Sequence, residues 1–388
     1  MKRRELIVAA STAAAMASVP VFAGSKGASF DGATLRTGHI GIGGQGRKLL
    51  GLAQGLPGID VRTICDILPF QLERANGVKG PDTKTVNDYR HILDDPNIDA
   101  VVIATPFHFH ATPLLDALDA GKHVYCEKTL VKGHDQIERV RPVIETTDRI
   151  VQTGYQHRYS DHLKHIAAII RSGEIGKLNK VECQWNRDGD WRRPLPSQEY
   201  ERALNWRMYR EYSGGLAAEL SSHQMDILQW ILGSPPKTIM GTGGIDYWND
   251  GRTTRDNIHL LATYEDGITA SYTCMTTNDH GGFRMTFLGS KGTIATTLQE
   301  AWLSTEAIVD DMPEGVDAIS GASMSLTQTQ VRHIKLPSFN PTQNALASFR
   351  ESVLGNSTPA ATGKLGLASS RTVQLALDAM DRGTVENY

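Results

Sequence analysis

A glycine string set between a strand and a helix constrains this chain more than any other feature. A short run closing at His39-Ile40 leads into Gly41-Ile42-Gly43-Gly44-Gln45-Gly46, after which Arg47 to Ala53 has helical character. Gly41, Gly43 and Gly46 satisfy the G-x-G-x-x-G spacing in the context that gives it meaning. The first glycine permits a tight turn, the second lets backbone approach a pyrophosphate, and the third allows close helix–strand packing. Gly44 and Gln45 complete the turn, and phosphates would rest at the helix N-terminus, where free N–H groups and the helix dipole favour anions. The next run, Asp60 to Cys65, ends at Asp66, about 20 residues past Gly46. A carboxylate there accepts hydrogen bonds from the adenosine ribose and repels a 2′-phosphate, so NAD is the predicted cofactor.

A second βαβ unit follows. Ala100 to Ala104 is a continuous apolar run, as expected of a strand buried on both faces. Thr105-Pro106-Phe107-His108-Phe109-His110 forms the loop at its carboxyl end, and a helix from about Thr112 to Ala120 stops at Gly121. The strand His123 to Cys126 then delivers Glu127-Lys128 to the same sheet edge. Ligands of doubly wound sheets lie at the carboxyl ends of the strands, so Thr105, Pro106, His108, His110, Glu127 and Lys128 converge on the cofactor. His108 and His110 have no companions at a familiar ligand spacing, and no metal is expected.

The 388 residues suggest two domains. With 40 basic and 43 acidic residues the net charge is −3, and no basic run advertises nucleic acid. Four widely spaced cysteines exclude a disulfide scaffold. At the N-terminus, Lys2-Arg3-Arg4 precedes an alanine-rich apolar stretch from Leu6 to about Phe22 and a small-residue site at Ala23-Gly24. This three-part pattern predicts a signal peptide over residues 1–23, and the adjacent arginines suggest the twin-arginine route. The expected compartment is the periplasm, without membrane insertion after cleavage.

The ordered set of Gly41 to Gly46, the Ala104-Thr105-Pro106 loop with His110, the Gly121 to Lys128 strand, and Gly214-Gly215 leading to His223 and Asp226 resembles the Gfo/Idh/MocA oxidoreductases. The resemblance covers about Arg36 to Tyr388 and implies an α/β architecture. A Rossmann doubly wound parallel sheet over 36–153 would precede an α+β substrate domain over 154–388 with an open, mostly antiparallel sheet. The sequence beyond Gly154 agrees. A helix is expected at about Ser160–Ser172, and strands near Lys180–Gln184, Ile258–Tyr264, Thr269–Met275 and Phe283–Leu288, with helices through Asn344–Val353 and Gly366–Met380. Residues 300–340 read as irregular.

By the same resemblance Lys128 lies near the nicotinamide and the reacting hydroxyl, and Glu127 holds the nicotinamide ribose. Thr129 replaces the family's usual proline, which argues against a cis bond there. Gln156 falls where the family contacts cofactor or substrate, and His223 matches the catalytic histidine. Glu219, four residues earlier, stands where sugar dehydrogenases carry aspartate. Removing a proton from a secondary alcohol suits an imidazole, and a lysine ammonium stabilises the oxygen as charge develops. Lys128, His223 and Glu219 are therefore the catalytic candidates.

Three of the six tryptophans fall between Trp185 and Tyr212, among arginines and acids. Aromatic faces and polar rims suit a saccharide, and Arg158, Trp191, Trp206, Tyr209 and Asp226 are the substrate-binding candidates. The same mixture suits a subunit contact, so a homo-oligomer is expected. An exported enzyme has little free cofactor around it, which favours tightly held NAD. Two chemistries remain open: oxidoreduction of a sugar, polyol or glycoside, and a glycoside-cleaving cycle of oxidation, elimination and hydride return. A non-catalytic sugar-binding protein is the third reading.

Overall fold

The computed structural model describes residues 34–308, 327–337 and 340–388. The signal-peptide expectation at residues 1–23 lies outside them. In chain order the first elements are β1 (Leu35–Ile40), α1 (Gly44–Gln54), β2 (Ile59–Cys65), α2 (Pro69–Ala75), β3 (Lys84–Val86), α3 (Arg90–Leu93), β4 (Ala100–Ile103), α4 (Ala111–Asp119), β5 (His123–Cys126), α5 (Gly133–Thr146) and β6 (Val151–Thr153). The six strands are parallel in the order β3-β2-β1-β4-β5-β6. The order reverses between β1 and β4, and the crevice at this switch point is where such sheets take a dinucleotide. Every residue of β4 is buried, because helices cover both faces of the sheet.

The chain continues through α6 (Asp161–Ser172), β7 (Leu178–Asp188), α7 (Glu201–Leu204) and α8 (Ser222–Leu232). Next come β8 (Thr238–Gly244), β9 (Asn257–Thr263), β10 (Thr269–Met275), β11 (Thr277–Gly289), β12 (Gly292–Thr296), β13 (Glu300–Ile308) and β14 (Thr327–Lys335). The last elements are α9 (Pro341–Val353), α10 (Gly363–Arg382) and β15 (Glu386–Asn387). Nine strands form the second sheet in the order β14-β13-β12-β11-β7-β10-β9-β8-β15. Among the described residues only β7 and β10 pair in parallel, so the sheet is mixed and mostly antiparallel.

Alternation explains its shape: in β10 the residues Ala270, Tyr272 and Cys274 are buried, and their neighbours are half exposed. The buried face packs against α6, α8 and α10 to make the larger core. The ends of α6 follow local rules, with Ser160 capping Leu163 N–H and Gly173 left-handed at the C-terminus. The expectation of irregular structure over 300–340 is corrected for the described residues, since β13 and β14 pair antiparallel from Glu300–Lys335 to Ile308–Thr327, and its remainder at 309–326 and 338–339 lies outside them. β14 is the edge strand, and polar residues such as Gln330 and Arg332 on it hide the apolar alternation that a sequence reading needs.

The two sheets do not divide the chain cleanly. After β14 the chain returns to the nucleotide-binding side, where Ala345, Leu346 and Phe349 of α9 join the core built on Leu49, Leu50 and Tyr125. Thr153 of β6 donates its N–H to Ala361 O at 2.8 Å, which ties the start of α10 to the edge of the parallel sheet.

Candidate active site

A cleft of about 1510 Å³ opens at the carboxyl ends of β1 and β4 and runs towards the second sheet. At one end stands the glycine turn. Gly41 has φ +89°, and a Cβ there would come within 2.7 Å of Thr105 N. A Cβ on Gly46 would overlap the carbonyl oxygen of Gly41, so the helix meets the strand without a side chain between them. Gly43 and Gly44 line the cleft with nothing within 4 Å of a built Cβ, which leaves backbone open to a ligand. No side chain caps α1 and no acid sits in its first turn, so its N-terminal N–H groups stay free for an anion.

Asp66 lines the cleft and accepts from Ile42 N–H at 2.7 Å and Leu68 N–H at 2.9 Å. Burial raises its pKa, and these two bonds oppose the shift. The carboxylate is thereby fixed at the end of β2, in position for a ribose. Gln45 points the other way along the cleft and donates to Glu127 Oε1 at 2.9 Å. Burial raises the pKa of Glu127, against the pull of Gln45 and Lys128. The open glycine backbone and the fixed Asp66 carboxylate fit a dinucleotide.

Lys128 follows β5. Its Nζ donates to Ala218 O and Glu219 O, each at 3.1 Å, and lies 3.7 Å from Glu219 Oε2. The peptide bond Lys128–Thr129 is cis, which corrects the expectation drawn from the missing proline. Thr129 is buried, and its carbonyl oxygen lies 3.0 Å from His110 Nδ1. His110 Nε2 lies 2.9 Å from Thr105 O, so the ring sits between the two loops and, when neutral, donates its one N–H to one of these carbonyls. His108 also lines the cleft, with its ring centroid 4.7 Å from that of Tyr212.

Residues Ala217–Ser221 form a π-helical turn that runs into α8. Single π turns cluster at functional sites because they displace backbone carbonyls from the regular ladder. Here Ala218 O receives Lys128 Nζ and also Ser222 Oγ at 2.6 Å. Glu219 accepts from Arg207 Nε at 2.9 Å and is almost wholly buried. Burial would raise its pKa, but Arg207 and Lys128 together carry it below the ordinary value. His223 lies one turn on, lines the cleft, and has an unpartnered Nδ1. Burial first, then the charges of Lys128 and His157, hold its pKa well below the ordinary value, so its ring is neutral at pH 7. The ring sits among Trp185 at 5.5 Å, His157 at 4.9 Å and Tyr155 at 6.0 Å between centroids.

The structure gathers Gly41, Gly43, Gly44, Gln45, Asp66, Thr105, Pro106, Glu127, Lys128, Gln156, Glu219 and His223 around this cleft, with Trp191 and Trp206 on its far wall. Gly46 lies beneath the turn. Three substrate-binding expectations need correction. Arg158 and Asp226 form a fully buried two-point ion pair, with both bonds at 2.8 Å. Ser369 and the Ala360 carbonyl complete that cluster, which is spent on packing α8 and α10 together with the chain after β6. Tyr209 donates to Glu201 Oε1 at 2.7 Å beneath the Arg202 guanidinium and braces its loop outside the cleft. Arg193 and Arg207 lie inside the aromatic and charged window between Trp185 and Tyr212, and His157 follows Gln156, but the sequence reading did not place these three among the site residues.

A six-stranded parallel sheet joined to an open mixed sheet, with lysine, carboxylate and imidazole at their junction, defines a Rossmann-type α/β architecture. Residues 35–155 match a model described as an oxidoreductase family with an NAD-binding Rossmann fold. Residues 163–295 match the GFO/IDH/MocA C-terminal domain. The chain belongs to the Gfo/Idh/MocA oxidoreductase family, and its cofactor is NAD. It is 29% identical over 207 residues to the uncharacterized oxidoreductase YrbE of Bacillus subtilis (strain 168), covering 53% of this chain and 56% of the relative. It is 30% identical over 209 residues to inositol 2-dehydrogenase of Salmonella typhimurium (strain LT2), covering 53% and 57%. The chain thus spans little more than half the length of these curated relatives. A levoglucosan dehydrogenase solved with NADH and L-sorbose superposes with a TM-score of 0.75 at 16% identity, covering 92% of this chain and 99% of the other. That likeness shows the fold.

Proposed function

We propose that the protein oxidises a secondary hydroxyl of a sugar, polyol or glycoside, with NAD held in the cleft. The observation that carries this reading is the meeting of Lys128, Glu219 and His223 at the junction of the two sheets, in the cleft lined by the glycine turn. NAD supplies the hydride acceptor. Lys128 Nζ, fixed by two carbonyls and Glu219, presents a positive charge to the reacting oxygen and orients the carbon that bears it. His223, neutral at pH 7, takes the hydroxyl proton on a ring nitrogen. Glu219, shared by Lys128 and Arg207, keeps the lysine from swinging away. Trp191 and Trp206 each carry a guanidinium over one face, Arg187 at 4.7 Å and Arg207 at 4.2 Å, and a sugar ring stacks on the other.

The reading extends to export through the twin-arginine route and to retention of NAD during export, supported by the N-terminal sequence pattern. It includes a homo-oligomer, supported by the half-exposed Met240 and Leu261 that pair on the uncovered face of the second sheet. The deciding experiment releases bound nicotinamide by denaturing protein purified without added cofactor, then screens sugars for NADH at 340 nm. About one NAD(H) per chain and reduction by a polyol or sugar are expected. A protein that neither carries nor binds NAD would end the proposal. Retained NAD with glycoside cleavage and no net NADH would replace oxidation by the elimination cycle.

A further inference from the structure

Beyond the reacting centre, the substrate end of the cleft has an unbalanced charge. Arg193, Arg202, Arg207 and Lys128 line the cleft, and among the carboxylates that line it, Asp66, Asp88, Glu127 and Glu219, it is Glu219 that forms ion pairs with two of these cations. Arg187 stands one layer back, with its guanidinium 4.7 Å from the centroid of Trp191. The nearby Asp190 is bound to Arg252 and to the backbone N–H of Arg192.

The other arginines of this segment show what is unusual. Arg192 pairs with Glu201 and Asp250, and Arg202 pairs with Glu211. Among the described residues no carboxylate pairs with Arg187 or Arg193. The chain as a whole is slightly acidic, so the excess does not follow from composition. Burial, then the like charges of Arg193 and Arg207, lower the pKa of Arg187, as mutual repulsion in a partly desolvated cluster requires.

An unpaired guanidinium beside a stacking surface is a receptor for an anion, because its planar fork matches carboxylate and phosphate. We infer that the substrate is an anionic sugar or polyol whose carboxylate or phosphate is held by Arg193 and Arg207 while a hydroxyl meets Lys128. The inference rests on the proposed location of the substrate and deepens that reading. The chain of contacts sets the scale, since Arg207 touches Glu219 at 2.9 Å and Glu219 lies 3.7 Å from Lys128. The anionic group and the reacting hydroxyl therefore belong to one small molecule.

The test is calorimetric titration of the NAD-loaded protein with D-glucuronate, D-gluconate, glucose 6-phosphate, D-glucose and myo-inositol, at low and high salt. An anionic sugar should bind at least about 10-fold more tightly than its neutral counterpart, with the margin shrinking as salt screens the charges. Preference for the uronate or aldonate identifies a carboxylate, and preference for the phosphorylated sugar identifies a phosphate. Arg193→Gln should cut that margin by about 10-fold, and Arg193→Lys, which keeps charge but loses the fork, should fall between. The wild-type comparison stands without either variant. Equal or better binding of neutral sugars overturns the inference, while NADH formation from them would leave the oxidoreductase reading intact. Tight anion binding without NADH formation from any sugar would do the reverse.

Discussion

Lys128 and His223 differ in how they are held, and that difference sets what their removal should do. Lys128 is fixed by three oxygens, whereas His223 is confined by aromatic neighbours and leaves Nδ1 unpartnered. Lys128→Met and His223→Ala are each expected to lower kcat by about 10²-fold or more, with unchanged circular dichroism. Full turnover by either folded variant would remove its assigned role. Arg158 and Asp226 behave oppositely. Arg158→Met leaves Asp226 buried without its partner and should cost about 3–5 kcal/mol in urea unfolding. A large change in KM with unaltered stability would restore the pair to substrate binding. A sequence shows which residues carry chemistry and hides which of them have already spent it on one another. Nothing in the spacing of Arg158 and Asp226 reveals that two elements bring them face to face.

At the scale of elements, the turn from β1 into α1 was the most legible part of the chain. Its glycines sit where a side chain meets backbone, and that requirement is local. Gly46→Ala forces a methyl group against the Gly41 carbonyl, so helix and strand must separate. The expected cost is about 1–3 kcal/mol of stability together with loss of NAD retention, read by urea unfolding and by nicotinamide release. Retained NAD and wild-type stability would show that the turn has slack. Other elements were less legible because their cause is not local. The π turn at Ala217–Ser221 looks like ordinary helix in sequence, and its distortion shows only through the contacts of Lys128 and Ser222 with Ala218 O. The Lys128–Thr129 turn misled because the expectation rested on the proline that Thr129 replaces, and the bond is cis without it. The pairing of β13 with β14 joins residues far apart in sequence, and the edge strand lacks a periodic apolar signal.

Across the whole molecule, buried histidines tie stability to pH. Burial takes His39 down to about 3 and His157 to about 4. Below about pH 6.5 the unfolded chain binds protons that the folded chain refuses, so this stability is present at neutral pH and lost as pH falls towards those values. Each histidine should contribute about 2 kcal/mol less at pH 5 than at pH 7. Glu127 and Asp226, raised by burial, act in the opposite sense, so the clean measurement is differential. The stability gap between wild type and His157→Gln should change by about 2 kcal/mol between pH 7 and pH 5 in urea unfolding. A gap independent of pH would mean that His157 is protonated alike in both states.

The return of α9 to the parallel sheet also gives the molecule a timetable. The core under Leu49, Leu50 and Tyr125 is completed by Leu346 and Phe349, some three hundred positions later in the chain. At ribosomal speeds of roughly 5–20 residues per second, that part arrives about 15–60 s after β1 emerges. Until then the half that carries the glycine turn must wait with an apolar face uncovered. The core that supports the nucleotide site is therefore complete only once the last helices have been synthesised.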